Sequence, residues 1–134
     1  MFVITTRSFL PDIGGIETLM TELSYNLSKH GPVKVYAEDK PNAKAFDQKQ
    51  KYEIERIKGF KFIRKFRKAN QIHDFFNKNK GIAALISDHW KSLEKLSKNN
   101  FCSFLIIFPE LSYRLFQVPE KLVGSCFFLQ KVRT

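Results

Sequence analysis

The sequence is poor in the residues that build metal centres and disulfide frameworks. Two cysteines, Cys102 and Cys126, are too few for a disulfide framework or a four-ligand zinc site. Three histidines, His30, His73 and His89, lie scattered, with no H-E-x-x-H run. Long hydrophobic runs are missing too: the nearly uninterrupted apolar stretches at 101–108 and 122–129 fall well short of the ~20 residues that cross a bilayer. Met1 leads directly into Phe2-Val3-Ile4 with no basic segment and small-residue cleavage site, so no secretory signal is expected. Acidic residues are scarce, with 13 Asp and Glu against 23 Lys and Arg, for a formal net charge of +10. At 43% hydrophobic and 27% charged, the composition is that of a folded domain rather than a disordered chain, and 134 residues amount to one domain. These exclusions leave a basic, soluble domain, expected in the cytoplasm.

The positive charge is local. Residues 1–50 balance six basic against six acidic side chains, residues 51–80 hold ten against three, and residues 81–134 hold seven against four. A block of this kind marks either a solvated helix face or a surface for anions such as nucleic acid, acidic lipid or a phosphorylated ligand. Phenylalanine is the other excess, with 14 copies.

Along the chain, residues 2–4 form a short apolar run that reads as a strand, and Pro11, Asp12 and Gly14 mark the following stretch as a loop. Ile16, Leu19, Met20, Leu23 and Leu27 recur at helical spacing, predicting a helix over 15–30 that Gly31 and Pro32 end. Residues 33–37 alternate as a second strand, completing a βαβ unit. Residues 38–50 read as a polar loop and 52–57 as a strand near a sheet edge, broken by Gly59. Phe62, Ile63, Phe66, Ala69, Ile72 and Phe76 define the apolar face of a helix reaching about residue 79, with most of the basic block on its other side. The apolar run 82–86 suits a central parallel strand. A turn at 87–89, a helix over 90–99 and a strand over 103–108 follow. The alternation predicts an α/β domain, Rossmann-like, with a mostly parallel sheet and flanking helices. Ligands in such sheets bind beyond the carboxyl ends of the strands, which here directs attention to the loops at 5–15 and 87–90.

Gly14 and Gly15 follow the first strand and open the first helix. Two glycines there let a ligand approach the backbone and the free N–H groups of the helical turn, which suits phosphate. A tight turn that needs small residues is the equally weighted alternative, since neither G-x-G-x-x-G nor G-K-[ST] is present. The wider run is more specific. Phe9-Leu10-Pro11-Asp12-Ile13-Gly14-Gly15-Ile16-Glu17, the leucine-bearing helix, His30-Gly31 and the strand from Val33 together resemble the opening of the family 4 (group 1) glycosyltransferases. The likeness is good over 1–37 and looser to about residue 96, where Ile86-Ser87-Asp88-His89-Trp90 resembles a later strand-to-loop junction.

The resemblance implies one half of a GT-B arrangement, in which two Rossmann-like domains face each other across a cleft. It implies a glycosyltransferase that moves a sugar from a nucleotide-sugar donor with retention of configuration and without a bound metal. Gly14 and Gly15 match the turn that lies against donor phosphates and acceptor, and Glu17 matches the acid after it. Asp88 and His89 fall where acceptor hydroxyls are bound, although capping a helix is an equal reading of Asp88. Trp90 suits either sugar stacking or packing. No catalytic residue is assigned. The resemblance also implies work at a membrane surface, so Lys61, Arg64, Lys65, Arg67 and Lys68 form a candidate anion-facing surface toward the inner face of a membrane. The rival reading is a nucleic-acid-binding module, in which Phe60, Phe62 and Phe66 stack on bases and the basic residues, with Lys58, contact phosphates. No recognised nucleic-acid motif supports that rival.

The likeness stops near residue 100, dividing the chain into a glycosyltransferase-like part at 1–99 and a divergent tail at 100–134. The donor-binding half and its Glu-x-Phe-Gly signature have no counterpart in the sequence. Two explanations stand: loss of the reading frame near residue 100, or a short partner that pairs with a donor-binding domain on another chain. Either leads to the expectation of a truncated N-terminal domain, inactive alone.

Overall fold

In the computed structural model, the described residues are 1–79, 82 and 84–88, together with the backbones of two strands at 104–107 and 126–129. The chain runs β1 (Phe2–Thr5), α1 (Gly15–Ser28), β2 (Val33–Glu38), α2 (Ala43–Asp47), β3 (Glu53–Ile57), α3 (Lys61–Lys78), β4 (Ala84–Ser87), β5 (Phe104–Ile107) and β6 (Cys126–Leu129). The strands form a 6-stranded sheet in the order β3-β2-β1-β4-β5-β6, and every pairing is parallel. This is the doubly wound, Rossmann-like strand order.

The two faces of the sheet are covered by different helices, as strand alternation requires. Ile4, Val33, Val35, Ala37 and Ile86 pack with Met20 of α1, Phe9 and Tyr52 in one core, against which Ile16, Leu23 and Leu27 also lie. Val3, Tyr36, Ile57 and Leu85 pack with Ala69 and Ile72 of α3 in the other, flanked by Phe75 and Phe76. Each fully buried Ile or Leu contributes about 1.5–3 kcal/mol relative to exposure. The edge strand β3 is tied down by charge as well. Lys34, buried on the α3 face of β2, bonds Glu53 at 2.5 Å and Glu55 at 3.0 Å, with its ammonium over the Phe75 ring. Burial alone would lower the Lys34 pKa, but its bonds to Glu53 and Glu55 outweigh that and lift it to about 12.

Three expectations need correction. The polar segment 38–50 contains the short helix α2 and is not all loop. Leu19 is exposed on α1 rather than part of its core face. The apolar stripe of α3 is buried only from Ala69 onward: Phe62 is 83% exposed and Ile63 and Phe66 are at least half exposed. The reason is position along the helix axis. Arg64 and Lys68 of α3 reach the last residue of β2 and the end of β1, so the turn before them overhangs the carboxyl edge of the sheet and has no core beneath it. Gly59, at φ 119°, makes the turn into this helix in a conformation that suits glycine. The helix expected over 90–99, His89 and Trp90 lie outside the described residues.

Candidate functional site

The strand order fixes where a site can be. From β1 the chain crosses to β2 on one side, while β4 lies on the other side of β1. Loops leaving β1 and β4 therefore diverge and open a crevice at their carboxyl ends. Thr6 and Arg7 enter it from β1, Asp88 from β4, and Lys68 and Arg64 from α3.

Asp88 is the centre of this cluster. Its Oδ2 accepts the Thr6 hydroxyl at 2.7 Å and the Arg7 backbone N–H at 3.3 Å, linking the two strand ends. Its Oδ1 is buried and makes no hydrogen bond among the described residues. Thr6 is further fixed by the Ser8 amide, which donates to its hydroxyl at 3.0 Å. Capping a helix, the alternative role for Asp88, involves residues beyond those described; its observed partners are Thr6 and Arg7.

Lys68 was expected on the anion-facing surface of α3, and the structure places it elsewhere. It is 6% exposed and donates to the Thr6 carbonyl at 3.1 Å. No carboxylate among the described residues lies within ion-pair distance of it. Burial pushes its pKa down; Asp88 and Glu38 oppose the shift, while Arg7 and Arg64 add to it. Arg64 also turns inward, pairing with Glu38 at 2.9 Å. Of the basic residues proposed for that surface, Lys61 and Arg67 are exposed and Lys65 is intermediate. A strict helical face explains the split: positions 64 and 68 are one turn apart and share the side facing the strand ends.

The glycine loop borders the same crevice. Gly14 caps α1 by accepting the Thr18 amide at 3.0 Å and the Thr18 hydroxyl at 2.9 Å. A Cβ on Gly14 would run into the Glu17 carboxylate, whereas Gly15 faces open space. Glu17 thus supplies negative charge at the helix N-terminus itself, where dipole and free N–H groups favour it. Any donor phosphate there would require that side chain to swing away. Gly14, Gly15 and Glu17 lie on the first loop and helix turn, and among the described residues no hydrogen bond joins them to Asp88.

Arg56 holds this loop in place. Its guanidinium bonds both carboxylate oxygens of Asp47 at 2.7 and 3.0 Å, the Glu38 carbonyl at 3.2 Å and the Leu10 carbonyl at 2.5 Å, and it lies over the Phe9 ring. Sequence reading missed Thr6, Arg7 and Arg56, and misplaced Lys68. The available signal was weak: Thr6 and Arg7 directly follow a predicted strand, and nothing in the spacing of Arg56 marks it as buried.

Among the described residues no group of His, Cys, Asp and Glu is arranged to hold a metal ion, and no helix is long and apolar enough to cross a membrane. No protein-family model and no curated protein matches the chain.

Proposed function

We propose that the chain forms the acceptor-side half of a sugar-transfer cleft, the N-terminal domain of a retaining, nucleotide-sugar-dependent glycosyltransferase. The observation that carries this reading is the unpaired Asp88 Oδ1 at the switch point. A buried carboxylate oxygen without a donor costs free energy unless a ligand supplies one, and a sugar hydroxyl is a donor of the right kind. The sequence resemblance over 1–37 and the Rossmann-like order support the same reading. A nucleotide-sugar donor would be held by a second domain, on another chain if not on this one. The described residues alone are not expected to transfer sugar, because transfer needs donor and acceptor held together.

Amide NMR of the full chain, titrated with neutral and phosphorylated sugars, tests the reading. Shifts should concentrate at Thr6, Arg7, Gly14, Gly15 and Asp88 and weaken in Asp88→Asn. Shifts absent at these positions for every sugar tried would sink it. Detecting sugar transfer by the purified chain would overturn its expected inactivity.

A second reading has its own observation. Phe60 and Phe62, each 83% exposed, and half-exposed Ile63 stand on the overhanging turn of α3 beside Lys58, Lys61 and Arg67. Apolar side chains ringed by cations suit the interface of an anionic bilayer, where each Lys or Arg contributes about 1 kcal/mol. A cytoplasmic protein so equipped would sit on the inner face of a membrane. Flotation with vesicles of phosphatidylcholine, with and without phosphatidylglycerol, tests this: capture should require the anionic lipid and fall in Phe62→Ser. Tight, steeply salt-dependent retention of nucleic acid on a filter would favour the nucleic-acid alternative instead.

A further inference from the structure

The cations at the switch point are arranged in a way that sugar hydroxyls alone do not explain. Lys68 carries three N–H donors and, among the described residues, uses one, on the Thr6 carbonyl. Arg7 is exposed, and its guanidinium makes no hydrogen bond or ion pair among the described residues, although its own backbone N–H is bound to Asp88. Arg7 directly follows Thr6, whose carbonyl Lys68 holds, so the two cations are neighbours whose charges repel, and Arg64 adds to that repulsion. Elsewhere in the same fold, buried cations are matched. Arg56 has Asp47, and Lys34 has Glu53 and Glu55. Arg64, too, has Glu38. Among the described residues, the carboxylates that act on Lys68 are Glu38 from the end of β2 and Asp88 from the end of β4, and the first is engaged by Arg64 while the second is bound to Thr6 and Arg7 through Oδ2. Like charges held together without their own counter-ion are relieved by an anion that arrives from outside.

We infer that the β1/β4 switch point binds a phosphorylated hydroxyl compound, a sugar or polyol phosphate, with Arg7 and Lys68 drawing in the phosphate and Asp88 Oδ1 accepting a hydroxyl of the same molecule. This rests on the acceptor-side reading and narrows it to an anionic acceptor. The division of labour follows from chemistry. A guanidinium fork matches phosphate oxygens, while a carboxylate repels them and is matched by a hydroxyl donor. Having both signs side by side selects a ligand that carries both groups over free phosphate or a neutral sugar.

Isothermal titration of the full chain with glucose 6-phosphate, glucose and inorganic phosphate provides the test. Glucose 6-phosphate should bind at least about tenfold more tightly than either of the others, the size expected from one charge-assisted bond. Arg7→Gln, at an exposed position, should erase the preference over glucose. Lys68→Met should weaken glucose 6-phosphate with the urea midpoint showing a folded protein. Asp88→Asn should weaken glucose 6-phosphate and leave inorganic phosphate unchanged. Lys61→Gln, on the exposed overhang, should leave all three affinities within twofold. Equal affinity for glucose and glucose 6-phosphate would overturn the anionic acceptor while leaving the acceptor-side reading in place, and binding of neither would count against both. Equal loss in Lys61→Gln and Arg7→Gln would reduce the effect to diffuse charge and overturn the site. Inorganic phosphate binding as tightly as glucose 6-phosphate would remove the role given to Asp88.

Discussion

Arg56 and Lys68 are both buried cations at the carboxyl edge of one sheet, and they are treated in opposite ways. Arg56 makes four bonds, to a carboxylate and two carbonyls, and closes the β1–α1 loop onto β3 and α2. Among the described residues Lys68 makes one bond, beside an unpaired carboxylate oxygen and a second cation. The first arrangement is complete within the chain and holds shape. The second is incomplete among the described residues, at the place where the strand order opens a crevice. Buried polar groups that satisfy one another belong to the scaffold, and open ones grouped at a crevice are those that a ligand can complete.

Substitutions can break this contrast. The largest effect is expected for Arg56→Met, which strands the Asp47 carboxylate and frees the Leu10 carbonyl. It should cost about 3–5 kcal/mol in urea unfolding. A loss under about 1 kcal/mol would mean that Arg56 is not the clamp described. Gly59→Ala, at φ 119° between β3 and α3, should cost more than about 1 kcal/mol by the same measurement.

Lys68→Met should change stability by less than about 1 kcal/mol at pH 7, because the lost bond to Thr6 is offset by removal of a poorly compensated buried charge. Its pH dependence has a definite sign. The folded pKa lies below the ordinary 10.5, so the unfolded chain holds the proton more tightly. Stability of the native protein relative to Lys68→Met should therefore rise as pH increases from the lowered folded value to 10.5. Urea midpoints of both proteins at pH 7 and pH 9.5 measure this, and a gap that narrows in the opposite direction would contradict a depressed Lys68. The smallest effect is expected for Phe62→Ser. On an exposed overhang it should stay within about 0.5 kcal/mol of the native protein, in contrast to its expected effect on vesicle capture.

The fold was readable because its signals are periodic. Alternation in 33–37, the apolar runs at 2–4 and 82–86, and the helical spacing in 15–30 each report burial on a defined face, and the sheet follows from their order. The α3 stripe shows the limit of that reasoning. Phe62 and Phe66 share a face with Ala69 and Ile72, yet periodicity says nothing about how far the sheet extends beneath a helix. The same limit hid Lys68. As one of several basic residues it looked solvated, and only the level at which α3 crosses the strand ends turns it inward. Asp88 was reachable because it falls in the turn after a predicted strand, on the ligand-binding side. Arg56 was not, since its partners at Leu10, Glu38 and Asp47 are distant in sequence and come together only through the loop and α2.

The overhang of α3 also gives the crevice a direction. Lys68 reaches the end of β1, and Lys61 lies seven residues earlier, roughly 10 Å along the helix axis, so the first turns of α3 project past the strand ends. That projection forms a parapet on one flank of the switch point, topped by Phe60 and Phe62. A molecule approaching Asp88 along that flank meets aromatic rings set among Lys58, Lys61 and Arg67 before it meets the polar cluster, so the parapet favours visitors that carry both an apolar portion and negative charge.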